Sequence, residues 1–267
     1  MLLLAYLVLG SFVMFRLSET QITDESLRVM SYNVRGFYNV KKYSDRTYGN
    51  KFIDFTKEQN PGILCFQEYN TAMDQKFSHY PYRFINPVKG YDFLTQAIYS
   101  KYKIINSGSL KFHNRGHGNN AIFADILYYN DTIRVYSVHL QSLSIAPNRE
   151  ILNEKSDHLY GRLTQSFKKQ QEHAAIVEKH MKTTTHKIIV CGDFNNSQYS
   201  NVYYTVKGNL QDTFSEKGIG YGKTYNFKYY PVRIDFILVD PKIKVIAHKN
   251  YDIELSDHFP VMTSLDF

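Results

Sequence analysis

The chain has 267 residues, a formal net charge of +7, 43% hydrophobic and 21% charged residues, and 15% aromatics made of 23 Tyr and 18 Phe without a Trp. That size suits one large α/β domain or two small ones, with an ordinary globular composition. Cys65 and Cys191 lie in apolar runs and read as small buried hydrophobes, not as a disulfide or a thiolate metal site. The positive charge favours an anionic partner, although solubility alone explains it, and no basic block resembles a nucleic-acid tail.

Residues Met1 to Phe15 are apolar except for Tyr6 and Ser11, and Arg16 ends the run. The run is shorter than the ~20 residues that span a bilayer comfortably. It also lacks the basic start and small-x-small cleavage site of a signal peptide. A buried first helix is one reading. The expectation is a membrane anchor, the remnant of a longer hydrophobic region, because Ser18–Ser26 reads as a polar linker. The organisation expected is therefore an N-terminal segment over 1–17, a linker over 18–26 and a catalytic domain over 27–267.

From Leu27 onward strands alternate with helices. Leu27–Val34 predicts a strand with Asn33 and Arg35 at its end, and Lys51–Gln59 a short helix with Phe52, Ile53 and Phe55 on its apolar face. Ile63–Phe66 predicts a buried strand that delivers Gln67 and Glu68. Gln96–Ser100, Ala121–Tyr129 and Ile133–His139 follow as strands, while Asn106–Asn120, rich in Gly, Asn and His, reads as a loop. Leu163, Phe167, Ala174, Val177 and Met181 recur at near-helical spacing and predict a helix from about Tyr160 to Met181. A Tyr- and Gly-rich stretch, Ser197–Tyr230, precedes two last strands, Ile234–Val239 and Val261–Leu265. There is no fixed-period repeat, no low-complexity tract and no second domain boundary.

The stretch Lys187-Ile-Ile-Val-Cys-Gly-Asp-Phe-Asn-Asn196 organises the rest. A β-branched run reads as a buried strand and ends at Gly192, placing Asp193 at the rim of a core. Asp193 and Asn195 are two residues apart, which in extended backbone puts both side chains on one face. A plain Gly-Asp turn is the bland alternative. Glu68 and His139 also follow directly on apolar runs, Asp235 sits within Arg233-Ile-Asp-Phe, and Asp257-His258 precedes the final strand. Buried carboxylates must be paired with cations or neutralised. Several acidic groups together with Asn and His make a hard-cation site, since Mg²⁺ prefers oxygen ligands and shares them with a substrate phosphate.

Six motifs in order now carry a family resemblance: Ser31-Tyr-Asn-Val-Arg-Gly36, Cys65-Phe-Gln-Glu68, Ser137-Val-His-Leu140, Gly192-Asp-Phe-Asn195, Arg233-Ile-Asp-Phe236 and Ser256-Asp-His-Phe-Pro260. The series resembles the endonuclease/exonuclease/phosphatase superfamily over nearly all of Leu27 to Phe267. Its wording is most similar to bacterial members that follow an N-terminal membrane segment. The resemblance implies a four-layer α/β sandwich, two mostly antiparallel sheets packed face to face with helices outside. It implies a membrane-anchored protein whose catalytic domain lies outside the cytoplasm.

The resemblance also implies roles. Glu68 becomes the principal Mg²⁺ ligand, with Asn33 and Asp257 nearby and Mn²⁺ able to substitute. Asp193 orients and activates water, Asn195 holds the phosphate, His258 steadied by Asp235 acts as base or transition-state donor, and His139 contacts the phosphate or the leaving group. Arg35 stands where the abasic-site repair nucleases carry a carboxylate, closer in this to deoxyribonuclease I. A guanidinium there suits a phosphate clamp, or is a surface charge.

The function expected is Mg²⁺-dependent hydrolysis of phosphodiester bonds, of nuclease type, by a monomer acting on a phosphodiester or phosphomonoester, nucleic acid included. A phosphoinositide or lipid-headgroup phosphatase, or a sphingomyelinase-like enzyme, is the alternative, with the N-terminus providing membrane association. A non-catalytic binding module is the alternative of another class, and the intact set of candidate residues argues against it. Substrate choice is expected in the loops Asn106–Asn120, with His113, Arg115 and His117, and Ser142–His158. Tyr221, Tyr225 and Phe227 either stack on bases or simply pack.

Overall fold

Strict alternation along the strands decides the architecture. In the first strand Leu27 and Val29 face one way and Met30 and Tyr32 the other, and both sets are buried. A strand buried on both faces needs a partner layer on each side. The computed structural model describes residues 13–16, 21–22, 26–38, 48–87, 94–112, 119–143 and 156–267. In chain order its elements are β1 (Leu27–Asn33), α1 (Tyr48–Gln59), β2 (Ile63–Asn70), β3 (Tyr82–Ile85), β4 (Leu94–Ser100), β5 (Ile104–Leu110), β6 (Asn120–Tyr128) and β7 (Asp131–His139). There follow α2 (Ser156–Met181), β8 (Lys187–Asp193), α3 (Asn201–Lys207), β9 (Gln211–Asp212), α4 (Thr213–Lys217), β10 (Asp235–Val239), β11 (Lys244–Asn250) and β12 (Val261–Asp266).

Two six-stranded sheets result, ordered β11-β12-β1-β2-β4-β3 and β5-β6-β7-β8-β10-β9. Each has a single parallel pair at its centre, β1 with β2 and β7 with β8, and is antiparallel elsewhere. One apolar layer, including Val29, Ile63, Ile98, Ile122, Val135 and Ile189, lies between the sheets. A second, with Tyr32, Phe52, Phe55 and Phe66, seats α1 on the outer face of the first sheet. A third, with Tyr136, Val138, Ala174, Val177 and Val190, seats α2 on the second. The four-layer sandwich implied by the motifs is the observed fold.

The space between the sheets changes character along the strands. Inward positions run from Val29, Ile63, Ile133 and Ile189 to Cys65 and Cys191, then to Ser31, Gln67 and Ser137, and finally to Asn33, His139 and Asp193. The polar layer bridges both sheets: Gln67 donates to Ser31 Oγ at 3.3 Å and to Ser137 Oγ at 3.0 Å, and Ser137 donates to Gln96 at 2.6 Å. Gln96 in turn donates to the Asn120 carbonyl at 2.6 Å. Apart from Gln67 Oε1, which has no partner among the described residues, these groups bond one another without charge and make a polar floor beneath whatever the strand ends hold.

Several expectations need correction. Asn106–Leu110 is not loop but most of β5, an edge strand whose polar Asn-Ser-Gly-Ser centre faces solvent on one side. Residues 113–118 of the proposed selector loop, with His113, Arg115 and His117, lie outside the described residues, as does most of Ser142–His158. The strands β3, β9 and β11 carry no clean sequence signal.

The membrane-anchored, extracytoplasmic localisation is not supported. Among the described residues no helix is long and apolar enough to cross a membrane. Residues 1–12 lie outside the described set, but the end of the apolar run is docked on the domain. Met14 and Gly220 exchange backbone hydrogen bonds at 2.8 and 2.9 Å. The Arg16 guanidinium donates to the carbonyls of Ser215 and Glu216, both at 2.7 Å, and of Gly218. A cation on the orphan carbonyls at the end of α4 is in its favourable place.

Two predictions follow from packing. Gly192 has φ 147°, and a Cβ there would collide with the Val138 backbone of the neighbouring parallel strand. Gly192→Ala is therefore expected to push β8 off β7. Urea denaturation should show a loss of at least ~1–3 kcal/mol, the usual cost of overpacking, and turnover should fall further than stability explains. An unchanged midpoint would refute the close-approach reading.

His248 on β11 is buried, with Nδ1 2.8 Å from Thr213 Oγ1. Burial, opposed by Asp212, lowers its pKa from 6.5 to about 4. The unfolded chain thus binds a proton that the folded one refuses, so this contribution is full above pH ~6.5 and is lost as pH falls towards 4, roughly 3 kcal/mol in all. His248→Gln should lose less melting temperature than the parent between pH 7 and pH 4. Parallel losses would show that His248 is not the group responsible.

Candidate active site

The two central parallel pairs end at the same rim. Asn33 is in register with Gln67 on the first sheet, and His139 with Asp193 on the second. Strand carboxyl ends are where α/β sheets present ligand-binding groups. The chain leaves this rim through unusual backbone. Arg35 (φ 45°), Glu68 (φ 49°) and Asn195 (φ 50°) are all left-handed, though none is glycine. At Glu68 the register between β2 and β4 slips between Phe66 and Tyr69. This bulge turns Glu68 out of the strand's alternation and towards the cleft.

Asp193 is the centre of the site and is 1% exposed. Its carboxylate accepts from the Asn195 backbone N–H at 2.7 Å, from the Asn33 amide at 3.0 Å and from the Asn195 amide at 3.3 Å. His139 Nε2 and His258 Nε2 each stand 3.6 Å from Asp193 Oδ2. Asp193 and Asn195 do share a face, but through a tight turn: the left-handed Asn195 folds back onto Asp193 and donates to the Leu140 carbonyl at 3.0 Å. The extended-backbone expectation reached the right neighbours by the wrong geometry.

Asp235 begins β10 opposite Asp193 and accepts from His258 Nδ1 at 2.9 Å. Burial alone would lower the His258 pKa, but the Asp235 and Asp193 carboxylates outweigh it and hold the imidazole above its ordinary value. Burial raises Asp235, against the pull of His258. The pair shares a proton with the imidazole as its stronger base. Thr224 positions both partners: its Oγ1 accepts from the backbone N–H of Ile234 and Asp235 at 2.9 and 3.0 Å, and its carbonyl accepts from Phe259 N at 2.7 Å. The Tyr225 ring lies 4.9 Å from that of His258. Burial raises the Tyr225 pKa, helped by Asp257 and Asp193, so its phenol stays neutral.

A cation-binding capacity is evident from the donor set. The Glu68 side chain is 27% exposed, and among the described residues its carboxylate receives the Asn33 amide at 3.3 Å and has His139 at 3.7 Å. Asp257 also opens to the cleft, with the Arg35 guanidinium 3.2 Å from its Oδ2. Arg35 is thus a partner of Asp257. Among the described residues the tightest cluster of possible ligands is Asp193, Asp235 and His258, with ligand atoms within 4.8 Å of one another. Because Asp235 and His258 already bond each other, the more open oxygens of Glu68 suit a hard divalent cation better.

Six of the nine candidate residues, Glu68, His139, Asp193, Asn195, Asp257 and His258, line a cleft of about 510 Å³, and Asn33, Asp235 and Arg35 stand behind them as partners of Asp193, His258 and Asp257. Sequence reasoning missed Thr224, whose only signal is its place in a Tyr-rich stretch ahead of Arg233-Ile-Asp. It also missed the wall residue Gln141, which follows β7, whereas the wall residue Asn119 falls inside the stretch Asn106–Asn120 expected to govern substrate choice.

A model of the endonuclease/exonuclease/phosphatase family matches residues 30–258. No curated protein matches. Among solved structures, a humanised TDP2 of D. rerio is 15% identical with a TM-score of 0.68, covering 91% of this chain and 100% of that one. A mannosyl-6-phosphatase of Bacteroides thetaiotaomicron is 19% identical with a TM-score of 0.67 over the same shares. The human Nocturnin catalytic domain is 14% identical with a TM-score of 0.65, covering 91% and 94%. The family match over most of the chain, on a site with this geometry, makes the chain a member of the endonuclease/exonuclease/phosphatase family, a hydrolase of phosphate esters.

Proposed function

We propose that the chain hydrolyses phosphate esters with Mg²⁺ as its natural cation and Asp193 as the group that aligns water. The observation that carries this reading is one carboxylate, buried to 1% exposure, held by two amides and flanked by two imidazoles at 3.6 Å. A phosphoester needs an in-line water, donors on the phosphoryl oxygens and a proton for the departing oxygen. Asp193, fixed by Asn33 and Asn195, takes the proton of that water. His258, charged through Asp235, donates to the phosphoryl group. Asn195 directs its amide to Leu140 and Asp193. Its main contribution is then orientation, which leaves the phosphate contact to the imidazoles.

Glu68, with Asn33 and Asp257, is the place proposed for the cation, and Mn²⁺ can replace Mg²⁺ there. When bound, such an ion supplies charge neutralisation on the phosphoryl oxygens. Arg35 remains within reach of substrate through its place on Asp257. A diester of nuclease type is the first reading, supported by the motif series; a related structure of D. rerio TDP2 holds a single strand DNA product. A monoester is the second, and the composition of the cleft walls favours it.

Asp193→Asn keeps the shape and removes the charge, so turnover should fall by roughly 10²–10⁴ while the melting temperature holds. Retained turnover at an unchanged melting temperature would sink the assignment. Glu68→Gln should raise the Mg²⁺ concentration needed for half-maximal rate, and excess chelator should silence the parent. Full activity in chelator would remove the cation from the scheme.

His139 is assigned to proton donation at the departing oxygen. His139→Gln should then depress hydrolysis of an alkyl ester by roughly two orders of magnitude, and that of a nitrophenyl ester far less, because nitrophenolate leaves without a proton. Equal losses on the two would make His139 a phosphate ligand only.

A further inference from the structure

The cleft is built from two kinds of wall. The segment running from Thr224 to Val232 supplies the rings of Tyr225, Phe227 and Tyr230. Phe227 and Tyr230 pack edge to face with centroids 4.9 Å apart, and Tyr230 is 62% exposed. The ends of β6 and β7 supply Asn119 and Gln141. Among the described residues no Lys or Arg lines the cleft.

Gln141 Oε1 is buried and accepts no hydrogen bond among the described residues. A buried acceptor left unsatisfied is costly, so its place in a cleft wall calls for a donor brought by the occupant. Asn119 is only 4% exposed, and no hydrogen bond engages its side chain among the described residues. Phosphate oxygens accept and do not donate, so a second phosphate meets neither this need nor a cation. The aromatic wall begins at the reacting centre, since the Tyr225 ring sits 4.9 Å from that of His258. Whatever carries the phosphate therefore meets a ring face at once and uncharged amides beside it. A neutral ring with hydroxyls on its edge and C–H groups on its face has that complementarity. A volume of about 510 Å³ is of small-molecule size.

Resting on the phosphoester-hydrolase reading of the site, we infer that the substrate is a single phosphate carried on a neutral, polyhydroxylated ring of sugar type, taken in preference to a polyanionic strand. A sugar hydroxyl donates to Gln141 Oε1, and the ring lies against Tyr225, Phe227 and Tyr230. In the reaction a water oxygen forms a bond to phosphorus and the bond from phosphorus to the sugar oxygen breaks. The electron pair stays on that oxygen, which takes a proton. The products are the free sugar alcohol and inorganic phosphate.

The test measures kcat/KM of the purified full chain with Mg²⁺ or Mn²⁺. Its substrates are a hexose 6-phosphate, a ribonucleoside 5′-monophosphate, 4-nitrophenyl phosphate and a single-stranded deoxyoligonucleotide. At least one of the two sugar-borne monoesters should exceed the oligonucleotide, and which of them leads tells a free sugar from the ribose of a nucleotide. Gln141→Leu should lower kcat/KM on the preferred sugar phosphate several-fold to about tenfold more than on 4-nitrophenyl phosphate, the worth of one hydrogen bond. Tyr230→Ala, at an exposed position that folding does not need, should raise KM on the sugar phosphate several-fold with kcat nearly kept. The oligonucleotide as best substrate, or equal effects of Gln141→Leu on both monoesters, overturns the substrate assignment while leaving the hydrolase reading intact. No hydrolysis of any of the four with either cation overturns both.

Discussion

Nearly complete burial of the Asp193 charge is the constraint on which the rest of the structure depends. A carboxylate withdrawn from water is tolerated only with hydrogen bonds and opposite charge around it. Here the compensation arrives from separate parts of the chain: Asn33 from the first sheet, His139 and Asn195 from the second, His258 from the loop before the last strand. Asn195 reaches Asp193 through its own turn, but His139 does so only where β7 pairs with β8, and Asn33 only where the two sheets are packed together. Folding and assembly of the site are consequently one event, and the close approach of β8 to β7 at Gly192 sits at its hinge.

The space between the sheets explains how such a site is kept stiff. It grades from aliphatic through two thiols to neutral amides and hydroxyls, and only then to ionisable groups. Burial pushes the Cys191 thiol well up, so that layer carries no charge. Neutral hydrogen-bonded groups beneath the carboxylates supply fixed dipoles without the large desolvation cost that further charges would bring. Precise placement of catalytic groups needs such a supporting layer.

How much of this the sequence discloses depends on how locally each feature is encoded. Glu68, His139, Asp193 and Asp235 are legible because each adjoins an apolar run, and the six motifs in order identify the sandwich. The strand β5 is not legible, because its edge position leaves Asn106, Ser107 and Ser109 to read as loop. Asn195 is placed correctly for a reason the backbone does not obey, since a left-handed turn leaves no mark on an Asn that extended chain would not also allow. Asn119 and Gln141 come together only through the pairing of β6 with β7, a non-local fact. The anchor reading of Met1–Phe15 rests on its hydropathy and on the polar stretch that follows it, and neither registers a tertiary contact. The bonds of Arg16 to the end of α4 and of Met14 to Gly220 beyond it belong to tertiary structure.

Three residues at the rim, Arg35, Glu68 and Asn195, hold backbone conformations in which glycine would be at ease. Each stores strain of order ~1 kcal/mol or more. A glycine at any of them would relax the chain and at the same time delete a functional side chain. Stability and turnover therefore pull these positions in opposite directions. In a lineage where the activity ceased to matter, mutation filtered by folding alone would drift towards glycine there and leave the sandwich intact. The chemistry would decay from its strained corners before the core recorded any change.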